Sequence, residues 1–275
     1  MKPAQILKQK VASGSLTLGA FAGLHLWPGL IEVSRRAALD YLIIDLEHFT
    51  HGHENVADMC AIARMLDFPV LIRPPAADLN QLRLAADLGP CGIMIPYVET
   101  TADLDLVQDA IYLKPRGKRR PGGPGNRWVT GYNYEDWKTQ VEDDFIVLPQ
   151  IESKAGLANV DEIARHPITT SMAIGPYDLS ADLGICWQPS HPTLVDAQKK
   201  IRAAARSAGK VMWAIGDPQQ LIKWGFTFLC IETDPVGLME NTLAQITAQA
   251  RASVRPPDRS DKPGSDDAGS SGQFH

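Results

Sequence analysis

A closed (β/α)8 TIM barrel of parallel strands is the fold that this 275-residue sequence predicts, on three observations. Eight short apolar runs of strand length recur along the chain, and between them lie stretches with apolar residues at three- and four-residue intervals. Eight β-then-α units over about 240 residues match the size of one barrel domain. Charged motifs stand where four of the runs end: Asp45-Leu46-Glu47-His48, Arg73-Pro74, Gln150-Ile151-Glu152 and Gly175-Pro176-Tyr177-Asp178. Parallel strands buried on both faces read as continuous apolar runs, and charges at their C-terminal ends gather on the rim where α/β proteins place their chemistry. An open doubly wound sheet is the rival, and it does not require eight units.

The strand runs cover residues 16–23, 41–46, 70–73, 92–98, 145–151, 170–175, 210–216 and 226–232. Helical periodicity covers 29–38, 57–66, 79–88, 101–111, 157–165, 192–208 and 218–224, and a last helix spans 235–252. Pro192 and Pro235 suit the first turns of their helices. One connection is too long. Residues 114–144 separate the fourth helix from the fifth strand, and their first half is basic and rich in Gly and Pro, with Lys118-Arg119-Arg120 at its centre. Long loops inside compact domains are usually functional or mobile. A short helix is expected within 134–141. Residues 1–254 form a single domain on this reading. Residues 255–275 are polar, rich in Ser, Asp, Gly and Pro, and are expected to be a disordered tail.

The apolar fraction of 44% suits a globular chain with a full core, and a net charge of −5 argues against nucleic acid as a partner. An anionic substrate therefore needs local cations, and Arg73 is a candidate. No run of about 18 apolar residues predicts a membrane span. Residues 1–14 carry three lysines and no apolar core, so no signal peptide is expected. Cys60, Cys91, Cys186 and Cys230 are far apart, with no C-x-x-C pair, and free thiols in a reducing cytoplasm are the expectation.

Glu152 and Asp178 end neighbouring strands. Two such carboxylates can hold one hard divalent cation, with water or substrate in the remaining positions; the plain alternative is two solvated rim acids. Gly175-Pro176 forces a tight turn, after which the N–H groups of Tyr177 and Asp178 open a helix and can receive an anion. Arg73, between an apolar strand and two prolines, is held rigidly. It suits a developing enolate or a carboxylate, and equally an ion pair with Asp45 or Glu47. His48 is the natural acid–base group, because imidazole titrates near neutrality. His51 and His53 lie close by, but without helical spacing or a cysteine partner they make a poor zinc cluster and are expected to be solvated. His25 follows the first strand and lines the same mouth, and His166 marks a helix end. Asp45 and Glu47 share one side of their strand, where they orient water on the metal, or Arg73. Asp87, just before Gly89, is by itself a helix-terminal surface acid.

Taken together, Ile44-Asp45-Leu46-Glu47-His48, Leu71-Ile72-Arg73-Pro74, Pro149-Gln150-Ile151-Glu152 and Ala173-Ile174-Gly175-Pro176-Tyr177-Asp178-Leu179-Ser180 resemble the HpcH/HpaI aldolase/citrate lyase family over residues 15–252. The resemblance implies a class II, metal-dependent aldolase on a barrel of the phosphoenolpyruvate/pyruvate-binding type. It would cleave or form a 4-hydroxy-2-oxo acid, to or from pyruvate or a related 2-oxo acid and an aldehyde. It implies that Glu152 and Asp178 ligate Mg²⁺, Mn²⁺ or Co²⁺, that Arg73 stabilises the enolate oxygen, and that Gln150 and Tyr177 line the substrate site. His48 would form a dyad with Asp87, in Asp87-Leu88-Gly89, of a neighbouring subunit. That implies a homo-oligomer, a trimer or hexamer, with the last helix exchanged between subunits. No lysine ends any of the eight strands, which disfavours a Schiff-base mechanism. The chain departs from the pattern at Tyr177, where many relatives have a small residue, and at Phe49-Thr50, where Ala-Pro is common. Lys118-Arg119-Arg120, Trp128 and Trp213 are further departures. Two alternatives stay open: a lyase or synthase joining an oxo acid to an acyl-CoA, with residues 116–127 receiving a CoA phosphate, and a non-catalytic oxo-acid-binding barrel, which the presence of His48 disfavours.

Overall fold

Eight parallel strands close on themselves in chain order, each hydrogen-bonded to its sequence neighbours and the last to the first. The computed structural model describes residues 1–120, 122–131 and 133–253. In order the elements are α1 (Lys2–Ala12), β1 (Thr17–Ala22), α2 (Gly29–Arg36), β2 (Tyr41–Asp45), α3 (His53–Met65), β3 (Val70–Arg73), α4 (Leu79–Asp87), β4 (Gly92–Ile95) and α5 (Thr101–Ile111). There follow α6 (Tyr134–Trp137), β5 (Ile146–Ile151), α7 (Lys154–Ala158), α8 (Val160–Arg165), β6 (Met172–Ile174), α9 (Pro176–Asp182), α10 (Pro192–Ser207), β7 (Met212–Gly216), α11 (Pro218–Lys223), β8 (Phe228–Ile231) and α12 (Pro235–Ser253). All eight expected strands form within a few residues of their expected bounds. The tail, residues 255–275, lies outside the described residues.

The strands are short and almost wholly buried, as parallel strands between a filled interior and a helical ring must be. Bulky side chains fill the barrel. The Tyr41 hydroxyl donates to the Leu229 carbonyl at 2.6 Å and accepts from Trp213 Nε1 at 2.7 Å. Gly19 makes room for this ring, because a Cβ there would overlap Tyr41. Phe21 meets Trp213 edge-on at 5.8 Å, and the Arg73 guanidinium lies 4.6 Å above Phe21. The packed interior thus supports the first charged residue of the rim. Cys60, Cys91 and Cys230 are buried free thiols, whereas Cys186 is exposed.

Helix starts follow local chemistry. The Asp78 carboxylate caps α4 by accepting from the N–H groups of Asn80 and Gln81, and Thr100 with Asp103 forms a capping box on α5. Two features depart from the sequence reading. The segment 1–14 contains the helix α1, with Ala4, Leu7 and Val11 buried at helical spacing. Leu7 and Val11 share a cavity wall with Ile146 and Phe228, the first residues of β5 and β8, so α1 covers the N-terminal mouth of the barrel. The expected helix at 157–165 is instead two short ones, α7 and α8, joined at Asn159.

The long connection is held by its own charges. Leu113 bridges to Arg119, a 3-10 turn covers Pro124–Trp128, and α6 passes into a π-helical turn at Lys138–Glu142. Arg116 pairs with Asp143 at 2.6 Å, Lys118 with Asp109 at 2.6 Å, and Arg119 with Asp87 at 2.7 Å. The barrel unit ends at Gly237, and a second unit begins at Leu238 within α12. In that unit Leu238, Met239, Leu243 and Ile246 are exposed. Among the described residues no helix is long and apolar enough to cross a membrane.

Candidate active site

The C-terminal rim of β2 and β3 supplies a clamped cation. Asp45 and Arg73 are register partners at the ends of these strands. Arg73 donates from Nε to Asp45 Oδ1 at 2.9 Å and from Nη2 to Oδ2 at 2.7 Å, and its Nε lies 3.1 Å from Glu47 Oε2. Nη1 has no protein acceptor among the described residues. Burial opposes the charge of Arg73, but the hydrogen bonds and charge of Asp45, with Glu47, outweigh it and hold the guanidinium above its usual range. The ion pair foreseen as an alternative to an enolate role is therefore formed, and it orients the fork rather than consuming it. Glu47 shares this pocket, and burial raises its carboxyl against the pull of Arg73.

Across the mouth, β5 and β6 build an acidic cradle. Gln150 and Ile151 pair in register with Ala173 and Ile174, so Glu152 faces Gly175. A Cβ on Gly175 would overlap the Glu152 carboxylate, so glycine is what lets this side chain lie across the strand end. Glu152 is buried and accepts one hydrogen bond, from the Tyr97 N–H at 2.8 Å. Burial first, then the charges of Glu47 and Asp178, push its pKa up to about 8. Asp178 sits in the first turn of α9 and is exposed, beside the exposed Tyr177. The turn that Gly175-Pro176 demands does open a helix there. Gln150 is buried, with its Oε1 lacking any hydrogen-bond partner.

A buried carboxylate without a hydrogen-bonded cation, an orphaned amide oxygen and a glycine cradle together fit a divalent ion held at this rim. Among the described residues no group of three or more His, Cys, Asp or Glu side chains is placed to hold a metal. Glu152 and Asp178 would be the two protein ligands, leaving the other positions to water and substrate. Gly175→Ala tests the cradle. Its φ of −102° accepts alanine, so the fold is expected to persist by circular dichroism while Mn²⁺ affinity falls about tenfold or more in calorimetry. Unchanged affinity would count against Glu152 as a ligand.

His48 adjoins the clamp at Glu47, and no contact joins it to Asp87 of its own chain among the described residues. The His48 side chain is 58% exposed, with Nε2 3.8 Å from Glu47 Oε2. Asp87 ends α4 and pairs with Arg119 of its own chain. His25 is exposed, His51 hydrogen-bonds the Gly23 carbonyl, and His53 opens α3. His166 caps the end of α8 and lies 3.2 Å from Asp105.

Sequence reasoning missed two residues that hold carboxylates named above. Tyr97 adopts a left-handed φ of 55°, rare for a large side chain, and this aims its N–H at Glu152. In the sequence it stands inside the fourth expected strand run, 92–98, whereas the strand ends at Ile95 and leaves Tyr97 free to turn. Arg119 was visible as one of three adjacent cations, but nothing local distinguished it from Lys118 and Arg120.

Comparison with known proteins gives the family of the chain. The family model "HpcH/HpaI aldolase/citrate lyase" matches residues 24–240. The hydroxypyruvate/pyruvate aldolase of Roseovarius nubinhibens is 31% identical over 261 residues, covering 93% of this chain and 99% of that protein. The 2-keto-3-deoxy-L-rhamnonate aldolase of Shigella boydii serotype 4 is 29% identical over 255 residues, covering 91% and 94%. The crystal structure of an HpcH/HpaI aldolase from Desulfitobacterium hafniense superposes with a TM-score of 0.81 at 25% identity, covering 90% of this chain and 96% of that one. With a barrel of this topology and a match across most of its length, the chain belongs to the HpcH/HpaI aldolase/citrate lyase family and is a carbon–carbon lyase.

Proposed function

We propose that this enzyme is a class II aldolase that cleaves or forms a 4-hydroxy-2-oxo acid, with pyruvate or a related 2-oxo acid and an aldehyde as the other partners. The observation that carries the reading is the buried Glu152 carboxylate, cradled by Gly175 and set across the barrel mouth from the clamped Arg73. Glu152 and Asp178 would hold Mg²⁺, Mn²⁺ or Co²⁺, which when bound polarises the oxo acid's carbonyl and takes up negative charge. Arg73 presents its remaining N–H groups to the oxygen on which enolate charge develops, already oriented by Asp45 and Glu47. Gln150 lends its free amide oxygen to the bound substrate or its water. Tyr177 stands beside the pocket and narrows it for the aldehyde. In the cleavage direction His48 takes the proton of the 4-hydroxyl. The C3–C4 bond breaks, the aldehyde leaves, and the electron pair passes to the enolate, whose C3 is then protonated.

Asp87 of a neighbouring subunit completes a dyad with His48 on this reading, which makes the protein a homo-oligomer, a trimer or hexamer. The exposure of His48 and the exposed apolar residues of α12 support it. Buried free thiols support a cytoplasmic location. The acyl-CoA reading is weakened in the basic connection, because Arg116, Lys118 and Arg119 are committed to carboxylates of the chain itself.

Exchange of pyruvate's methyl protons in D₂O, followed by NMR, tests the proposal without a choice of aldehyde. Exchange is expected with Mg²⁺, and its loss is expected with chelator and in Glu152→Ala. Wild-type protein that leaves pyruvate unexchanged in the presence of Mg²⁺, Mn²⁺ and Co²⁺ would overturn it.

A further inference from the structure

We propose that Arg119 is a positioning residue for Asp87, and that the long basic connection between α5 and β5 is built to deliver it. The inference rests on the role proposed above for Asp87 and extends it to a residue that the sequence showed only as one of three adjacent cations.

Arg119 is not a surface charge. Its side chain is 3% exposed, although it comes from a connection whose Lys118 is 71% exposed. Its Nε and Nη2 both donate to the same oxygen, Asp87 Oδ1, at 3.2 and 2.7 Å. Arg73 pairs with Asp45 fork to fork, whereas Arg119 grips a single oxygen of its carboxylate. Here one carboxylate oxygen is held and the other, Oδ2, is left without a donor among the described residues. Asp87 keeps 31% of its side chain exposed, so the carboxylate can be reached by a group from outside the chain.

The clamp is itself fixed from three sides. The Arg119 N–H donates to the Tyr112 carbonyl at 2.9 Å, Leu113 bridges to it, and its guanidinium lies 5.5 Å from the Trp137 ring. The glycines of the connection have a matching purpose. A Cβ on Gly125 would meet Arg119 Nη2 at 2.8 Å and overlap the Ala86 carbonyl, and one on Gly123 would meet the Asp87 carbonyl at 2.9 Å. Only a backbone without side chains lies this close to the last turn of α4. The departure that distinguishes this connection, cations among glycines, is thus one device: glycines for the approach and one arginine for the grip. Proton exchange between an imidazole and a carboxylate depends on orientation, and a displaced carboxylate costs rate while leaving 2-oxo acid binding intact.

The test is steady-state aldol addition of pyruvate to glycolaldehyde, lactaldehyde and succinic semialdehyde with Mg²⁺, using the full chain. Arg119→Met is expected to lower kcat about ten- to a hundredfold with KM for pyruvate within about twofold, and Arg119→Lys to restore part of the loss. In an Asp87→Asn background, Arg119→Met is expected to change kcat by no more than about twofold, because the two act as a unit. Thermal melting of each variant is measured alongside, and where Arg119→Met does not fold, the same comparison is made with Arg119→Lys. A variant that melts lower but keeps kcat, or that loses as much rate without Asp87 as with it, makes Arg119 a structural staple and overturns the inference alone. Wild-type protein inactive with all three aldehydes, and silent in the methyl-exchange experiment, overturns the proposed function and the inference together.

Discussion

Arg73→Ala is expected to cut aldol turnover by about 10²–10³ and to cost about 3–5 kcal/mol of stability. The two losses have one cause. The Arg73 side chain is 9% exposed and that of Asp45 4%, and both hydrogen bonds between them are short and parallel. Removing the arginine leaves Asp45 buried with no cation and takes from Glu47 its 3.1 Å partner. On the role proposed for Arg73, it also leaves charge on the substrate oxygen unmatched. Arg73→Lys is expected to rescue little, since a point charge cannot hold both Asp45 oxygens through a planar fork. Asp45→Asn with Arg73→Met is expected to be more stable than Arg73→Ala, because it removes both charges, and yet equally inactive. Chemical denaturation and steady-state kinetics separate these outcomes. An Arg73→Ala variant with unchanged midpoint and turnover would show that the clamp bears on neither folding nor catalysis.

The second large effect is a pH dependence of the metal-free protein. Burial raises the Glu152 carboxyl from 4.5 in the open chain to about 8 in the fold. The folded protein therefore holds this proton more tightly than the unfolded chain does. The stability that the proton confers is complete below the unfolded value, and it is lost as pH rises through the folded one. Between pH 4.5 and 8 the contribution falls by about 5 kcal/mol, seen in a chain of this size as a melting temperature lower by on the order of 10 °C. Glu47, raised by burial as well, adds in the same direction. Melting curves from pH 5 to 8.5 with chelator are expected to show the decline, and Glu152→Gln to flatten it. On the proposed ligation by Glu152, saturating Mg²⁺ is expected to restore stability most at high pH, because a metal there would displace the Glu152 proton and would bind about tenfold more weakly for each pH unit below 8. A metal-free melting temperature equally flat in wild type and Glu152→Gln would show that the carboxyl is not raised.

Much of this protein was legible before its structure. Continuous apolar runs and helical periodicity determined the eight units, because strand burial on both faces and helix burial on one leave different repeats in a sequence. The rim residues Asp45, Arg73, Glu152 and Asp178 were legible for a related reason: charges that end an apolar strand have only the barrel mouth to go to. Tertiary structure decided the rest. Helix α1 carries its buried Ala4, Leu7 and Val11 in a lysine-rich segment, and only the open floor of the barrel gives that weak stripe something to cover. Gly175 announced a turn, but its need to be glycine comes from Glu152, 23 positions earlier in the chain and opposite it in register. The backbone of Tyr97 turns toward a carboxylate whose place is set by another strand pair. Lys118, Arg119 and Arg120 look alike in the sequence, and only the fold of the connection onto α4 selects Arg119 for Asp87. Local sequence determines periodicity and strand ends, because these depend on neighbours along the chain. The partner of each charge depends on distances between elements, and those exist only once the barrel has closed.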